Sequence, residues 1–202
     1  MKLRVSDVTC MRGERRIFSG VSFALSSGEG LLMTGANGTG KTSLMRMIAG
    51  FLGVTGGEIV LEGGSQDLSL GQHAHFIGHL DAVKGGLTVL ENITFWRRLL
   101  GGGDIDRALG QFGLERYADI PAELLSAGQK RRLALSRLTL VPRPLWLLDE
   151  PAVSLDRASR KRLADAIRAH MGDGGMVVAS THSALGLRFT HQLRLGGRGK
   201  PT

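Results

Sequence analysis

The stretch Gly35-Ala36-Asn37-Gly38-Thr39-Gly40-Lys41-Thr42 constrains this chain more than any other, because its G-x-x-x-x-G-K-T spacing suits one local structure. Apolar Leu31-Leu32-Met33 precedes it, and Leu44, Met47 and Ile48 follow at helical spacing over 43–50. The unit reads as strand, glycine loop, helix. Glycines let the backbone bend closely around an anion, and successive N–H groups at a helix N-terminus make a positive cradle. Phosphate suits such a cradle, with Gly35, Ala36, Asn37, Gly38, Thr39, Gly40, Lys41, Thr42 and Ser43 as its binding residues. Lys41 reaches the outer phosphate oxygens and is also a catalytic candidate, while the Thr42 hydroxyl is placed to hold a divalent cation. An ordinary glycine turn with a chance lysine is the competing reading, and the flanking strand and helix weigh against it.

Leu145-Trp146-Leu147-Leu148 is an apolar strand that ends in two carboxylates, Asp149 and Glu150. Alone, such an ending is commonplace. Together with the loop, it places Asp149 as a metal-holding group acting through water and Glu150 as the group that polarises an attacking water.

Alternation at Leu3, Val5 and, after a break, Val8 predicts a strand over 3–9, and a similar pattern predicts one over 21–25. Further strands are expected at 58–61, 75–78, 145–148 and 176–180, the last two as parallel strands covered on both faces. Between 87 and 141 the pattern turns helical. Thr88 and Glu91 have capping-box spacing ahead of Val89, Ile93, Trp96 and Leu100, and Ser126 and Gln129 repeat it ahead of Leu133, Leu138 and Leu140. Pro142 and Pro144 stop that second helix. The expected organisation is one domain over 1–202, with an α/β core at about 1–86 and 143–202 and a helical subdomain at about 87–142.

Composition narrows the setting. The lone Cys10 allows no intrachain disulfide, reads as a small core hydrophobe and fits a reducing, cytoplasmic compartment. No apolar run approaches the ~20 residues that cross a bilayer, and the first residues carry no signal-peptide pattern, so any transport role needs a separate membrane partner. The net charge of +8 fits attraction to nucleic acid or anionic lipid, or a surface built around polyphosphate and acidic protein partners. Arg97-Arg98, Lys130-Arg131-Arg132 and Arg160-Lys161-Arg162 are read as solvated helix faces.

Leu125-Ser126-Ala127-Gly128-Gln129 closely resembles the LSGGQ signature that separates ATP-binding cassette (ABC) ATPases from other P-loop proteins. Ser154-Leu155-Asp156 is similar to that family's D-loop, and Ser180-Thr181-His182 to its switch-histidine segment, so five elements stand in family order. The resemblance implies a P-loop NTPase (RecA-like) α/β core with an antiparallel β subdomain and an inserted α-helical subdomain. It also implies ATP and Mg2+ as ligands and a head-to-tail dimer in which a second copy closes each nucleotide site. Ser126 and Gly128 would then donate hydrogen bonds to the partner copy's γ-phosphate, with Gln129 and Asp156 as further nucleotide-site residues. His182 would contact the γ-phosphate and act with Glu150 and Lys41 in catalysis; a surface-turn histidine is the alternative.

Two departures sharpen the resemblance. His79 stands where most transporters carry a Q-loop glutamine, and imidazole is a poor Mg2+ ligand beside an amide oxygen. It bonds the attacking water or γ-phosphate, or it packs at the subdomain hinge. At the usual adenine-stacking position the chain has Met11 and Arg12 rather than an aromatic, and a guanidinium plane such as that of Arg12 can stack on a base. Both oddities, with Phe76-Ile77-Gly78-His79, Asp119-Ile120-Pro121 and the Ser126-Ala127-Gly128-Gln129-Lys130-Arg131-Arg132 run, resemble the ATP-binding subunits of haem exporters in cytochrome c maturation. Leu80-Asp81 departs from the Gln-Pro expected there.

That resemblance implies an ATPase at the cytoplasmic face of the inner (plasma) membrane, peripheral, paired with integral permease subunits of a haem exporter. It would drive haem export or release of a haem-loaded chaperone. No Cys-x-x-Cys-His pattern marks a haem site in this chain, and nucleic acid is not an expected partner. The rivals are an exporter of another cargo, a clamp that binds ATP but scarcely hydrolyses it, and a DNA- or ribosome-associated ABC protein. The last calls for a coiled-coil insertion or a second cassette, and the sequence carries neither.

Overall fold

The break in alternation after Val5 becomes a bulge in the computed structural model, which describes residues 1–182 and 185–196. Asp7 takes φ 50 and its N–H donates to Ser22 Oγ at 2.9 Å, so Leu3 and Val5 before the bulge and Val8 and Cys10 after it all stay buried. This strand, β1 (Lys2–Arg12), pairs antiparallel with β2 (Arg15–Ser26) and with a later strand at Gly56–Glu62, giving the order β2-β1-β4. Both strands of the hairpin outrun their expected ranges. Their extension carries Arg12 and Ile17 toward the glycine loop.

The second sheet gathers β3 (Gly30–Thr34), β5 (Ala74–Ile77), β6 (Leu145–Asp149), β7 (Met176–Ser180) and β8 (His191–Arg194) in the order β5-β6-β7-β3-β8, with every pairing parallel; the antiparallel partner at Gly56–Glu62 is β4. All five residues of β6 are buried, and its side chains alternate between two cores. Leu145 and Leu147 join the cluster under the antiparallel sheet, while Trp146 and Leu148 join the cluster around Phe112 and Leu135. This is why the strand reads as an unbroken apolar run. The edge strand β8 went unforeseen, because only Leu193 of its four residues is buried.

Helix α1 (Lys41–Ile48) starts two residues before the expected range, which puts Lys41 and Thr42 in its first turn. Between β5 and β6 come α2 (Val89–Leu100), α3 (Ile105–Phe112) and α4 (Ala127–Leu140); α5 (Arg157–Gly172) follows β6. The observed class is the expected one: a parallel α/β sheet, an antiparallel sheet and helices inserted between two strands of the core. The expected core segment 143–202 includes 183–184 and 197–202, which lie outside the described residues.

The start of α2 is buried against 118–122 and leaves little unpaired. Thr88 and Glu91 form the capping box, Val89 N–H donates to the Ile120 carbonyl at 3.1 Å, and Leu90 N–H to that of Ala118 at 2.9 Å. Asn92, 1% exposed, completes the join: its Oδ1 accepts from Lys84 N–H, and its amide donates to the carbonyls of Lys84, Leu87 and Thr88. Asn92→Ala leaves the Lys84 N–H without its acceptor and takes one of two donors from each of the Lys84, Leu87 and Thr88 carbonyls, and a loss of about 1–3 kcal/mol is expected in urea unfolding.

The buried His75 and the half-buried His170 set a pH dependence. His75 Nε2 lies 2.7 Å from the Val141 carbonyl, and His170 stacks on Trp146 with ring centroids 4.0 Å apart. Burial pushes both rings from 6.5 down to about 4. Between these values the unfolded chain binds protons that the folded rings refuse, so stability rises with pH. The contribution is complete above 6.5 and is lost as pH falls toward 4, at most roughly 3 kcal/mol per ring. The urea midpoint is expected to drop from pH 7.5 to pH 5, and to drop less in the His75→Gln/His170→Gln double variant.

Candidate functional site

Between β3 and α1 the chain takes a path that side chains resist. Gly35, Gly38 and Gly40 adopt φ of 138, 81 and 100, and a Cβ on Gly35 would collide with the Leu195 carbonyl. A Cβ on Gly40 would sit 2.6 Å from Phe18 Cδ1, so the loop is pressed onto the β1–β2 hairpin. Helix α1 then starts with Gly40 as its N-cap, with no side-chain cap and no acidic residue in its first turn. By contrast, Thr88, Ser126 and Asp156 cap α2, α4 and α5 through their own side chains. The first turn of α1 thus has no side-chain acceptor of its own, a terminus of the kind that can take an anion.

Lys41 is 8% exposed and donates to the carbonyls of Gly35 at 2.7 Å and Ala36 at 3.0 Å. An ammonium has three N–H donors, so these two bonds leave one unspent. Thr42 Oγ1 donates to Asp149 Oδ2 at 2.6 Å, and Ser180 Oγ donates to Asp149 Oδ1 at 2.6 Å. The buried Asp149 carboxylate therefore joins α1, β6 and β7 at one point.

Glu150, the next residue, has φ 48, and its N–H donates to the Ser180 carbonyl at 2.9 Å. Its Oε2 accepts from His182 N–H at 3.2 Å, while Oε1 is buried and accepts no hydrogen bond from the described residues. His182 Nε2 lies 3.6 Å from that oxygen and 3.2 Å from Asn37 Oδ1. A buried acceptor facing a cleft beside the glycine loop can take a hydrogen bond from outside the chain.

One cleft of about 380 Å3 gathers most of the predicted residues: Arg12, Asn37, Gly38, Gly40, Lys41, Thr42, Ser43, His79, Asp149, Glu150 and His182, together with Ile17. Gly35, Ala36 and Thr39 form the loop behind it, with Thr39 Oγ1 donating to the Ala36 carbonyl at 2.9 Å. His79 is exposed and also lines a neighbouring groove with Phe76, Leu80 and Trp96.

Ser126, Gly128, Gln129 and Asp156 do not line the cleft. Ser126 and Gln129 close a reciprocal capping box at the start of α4, and Asp156 Oδ1 accepts from Ser159 N–H at 2.7 Å to start α5. A Cβ on Gly128 would stand 2.8 Å from the Ser154 carbonyl, so α4 approaches the 154–156 turn too closely for a side chain. Within one copy these four residues build helix ends.

The reading of the basic clusters as solvated faces holds for Arg97-Arg98 and Arg160-Lys161-Arg162, which are exposed, and fails at Arg131, which is 3% exposed. Arg132 donates to the carbonyls of Phe112 and Gly113, Arg160 to that of Leu155, and Arg162 to those of Gly110 and Gln111. Carbonyls at loops and helix ends take up these cations. Sequence reasoning missed Arg131 and Ser180 as neighbours of the two carboxylates. The one available signal was a cation three residues before the buried Ala134-Leu135-Ser136 run of α4.

The donors fit a small hard cation only with help from a ligand. Thr42 and Asp149 supply oxygens of the kind Mg2+ prefers, and among the described residues no group of three or more His, Cys, Asp or Glu forms a metal site. Phosphate oxygens and waters would complete the shell.

The sequence profile described as ABC transporter matches residues 18–153, more than half of the chain. The cytochrome c biogenesis ATP-binding export protein CcmA of Nitrobacter winogradskyi is 47% identical over 199 residues, covering 98% of this chain and 99% of that protein. Its namesake from Bradyrhizobium diazoefficiens is 46% identical over 199 residues, with 98% and 99% covered. Among solved structures, an ATP-binding subunit of an ABC transporter superposes with TM-score 0.87 at 22% identity, over 96% of this chain and 86% of that one. The ADP conformation of MJ1267, an ATP-binding cassette of an ABC transporter, gives 0.80 at 20% identity, over 100% and 90%. These two show the fold, and the curated relatives show the kinship: the chain belongs to the ABC transporter family and, within it, to the cytochrome c biogenesis ATP-binding export proteins.

Proposed function

We propose that this chain is the ATP-hydrolysing subunit of a membrane exporter serving cytochrome c biogenesis, driving haem export or release of a haem-loaded chaperone. The observation that carries the reading is the convergence, in one cleft, of the glycine cradle with Lys41, the Thr42–Asp149 pair and the Glu150 oxygen that accepts no hydrogen bond from the described residues. The names of the relatives supply the cytochrome c context.

The loop's N–H groups and the first turn of α1 hold the β- and γ-phosphates, and the free N–H of Lys41 reaches a γ-oxygen. Thr42 and Asp149 would hold Mg2+, Asp149 through water, and the ion would supply charge neutralisation at the phosphate oxygens. Glu150 Oε1 accepts a hydrogen bond from the attacking water and aims it at the γ-phosphorus, and ATP and water become ADP and phosphate. His182, within reach of Asn37 and Glu150, marks whether the γ-phosphate is present. Arg12 and Ile17 on the hairpin offer the base a guanidinium face and an apolar contact.

A second copy supplies Ser126, Gly128 and Gln129 at the start of its α4, closing the cleft from outside, with Asp156 beside them. Membrane subunits take up the resulting motion. Among the described residues no helix is long and apolar enough to cross a membrane, which suits a peripheral subunit on the cytoplasmic face of the inner membrane. Neither haem nor nucleic acid is a ligand of this chain in the proposal.

Lys41→Ala is expected to lower ATP hydrolysis at least about 100-fold. Glu150→Gln is expected to keep ATP binding, lose hydrolysis to a similar extent and accumulate an ATP-bound dimer by light scattering. Glu150→Gln protein hydrolysing at the wild-type rate as a monomer contradicts the assignment. His79→Gln distinguishes that residue's two readings: a changed rate or Mg2+ dependence places it on the water or phosphate, and unchanged values place it at the hinge.

A further inference from the structure

Arg131 sits in the first half of α4, 3% exposed, and its guanidinium spends all five N–H donors. Nε donates to the Pro151 carbonyl at 3.2 Å; Nη2 donates to the carbonyls of Asp149 at 3.2 Å and Glu150 at 2.9 Å. Nη1 donates to the Gly78 carbonyl at 2.9 Å and to Asp81 Oδ1 at 2.7 Å. One side chain thus joins α4, the turn after β6 and the segment 78–81 that carries His79.

The turn after β6 needs such a fastening. Glu150 has φ 48, a left-handed conformation that costs a non-glycine residue free energy and persists only where its surroundings hold it. Ser180 holds the peptide before Glu150 through its N–H, and Arg131 holds the peptide after it through its carbonyl. With both peptides fixed, the Cα–Cβ direction of Glu150 is fixed, and with it the place of Oε1 in the cleft. Arg131 never touches the cleft.

The charge of Arg131 is balanced by a residue that can move with its own segment. Asp81 has a side chain 28% exposed against 4% for Arg131, and it follows His79 by two residues. A buried guanidinium parted from its carboxylate is costly, so the Asp81 pair keeps 78–81 seated on α4 while Arg131 keeps its hold on the turn.

We propose that Arg131 is a positioning residue for Glu150, and that its ion pair with Asp81 makes the placement of that carboxylate depend on the seating of segment 78–81. The inference rests on the reading of Glu150 as the group that aims the attacking water. Losing Arg131 impairs the chemical step and spares nucleotide binding, because it bonds neither the cradle nor Lys41, and it meets Asp149 only at the backbone carbonyl while Thr42 and Ser180 hold the carboxylate.

The test compares steady-state ATP hydrolysis by the full chain with its Arg131→Lys and Asp81→Asn variants. Arg131→Lys retains the charge and cannot reach five acceptors; its kcat is expected to fall about 10- to 100-fold with KM within about twofold of wild type. Asp81→Asn, at a more exposed position, lowers kcat in the same sense by about threefold or more, again at constant KM, and carries the test if the lysine variant does not fold. In a Glu150→Gln background, Arg131→Lys is expected to change neither the residual rate nor the ATP-dependent dimer, since the group it positions is gone. Unchanged kcat in both single variants overturns the proposal. So does a rise in KM at constant kcat, or loss of the ATP-dependent dimer in the double variant, which marks a general packing role. Wild-type protein that hydrolyses no ATP overturns the reading of the cleft itself, and the two failures are thereby distinct.

Discussion

The hydrogen bonds to the Asp149 carboxylate hold the functional end of the molecule together. A buried carboxylate needs partners for both oxygens, and this one takes Thr42 from α1 and Ser180 from β7, each at 2.6 Å. Ser180 is also the register partner of Asp149 across β6 and β7, so strand pairing places its hydroxyl where it is needed. The consequences extend outward along the carboxyl ends of the parallel strands. The glycine loop leaves β3, Glu150 follows β6, His182 follows β7 by two residues, and Gly78 and His79 follow β5. In a parallel sheet all of these turns emerge on one edge, which is where ligands of such folds bind.

Helix ends divide the labour between this edge and the rest of the chain. The helices α2, α4 and α5 close their N-termini with Thr88, Ser126 and Asp156, whereas α1 has only Gly40 before it. The uncapped end lies in the cleft. The start of α4 lies outside that cleft, and this separation within one copy gives physical sense to the proposal that a second copy brings its own Ser126 and Gly128 to the phosphates. Arg131, five residues along the same helix, reaches back to the turn that carries Glu150.

The legibility of this arrangement depended on how many residues carried each feature. The glycine loop and the strands β6 and β7 were plain in the sequence, because each spans several residues under one constraint, steric or apolar. Capping boxes at Thr88 and Ser126 were readable because two residues at fixed spacing encode them. The bulge at Asp7 showed only as a break in alternation. Features resting on one residue and its long-range partners were hidden: Asn92 reads as a polar residue on an amphipathic helix, Ser180 as a strand end, and Arg131 as one cation in a basic run. Asp81 stood out as a mismatch with relatives, and the structure places it against Arg131. The edge strand β8 was too short and polar to show an alternation.

The central claim is that this chain hydrolyses ATP for a membrane exporter of the cytochrome c biogenesis system. Its most direct test is affinity capture of the chain from gently solubilised native membranes, with co-purifying proteins identified by mass spectrometry. The account predicts recovery of integral permease subunits together with haem-handling proteins, at levels that depend on ATP. Recovery of a permease for some other cargo contradicts the cytochrome c assignment, and recovery of ribosomes or DNA-repair proteins alone contradicts the transport reading.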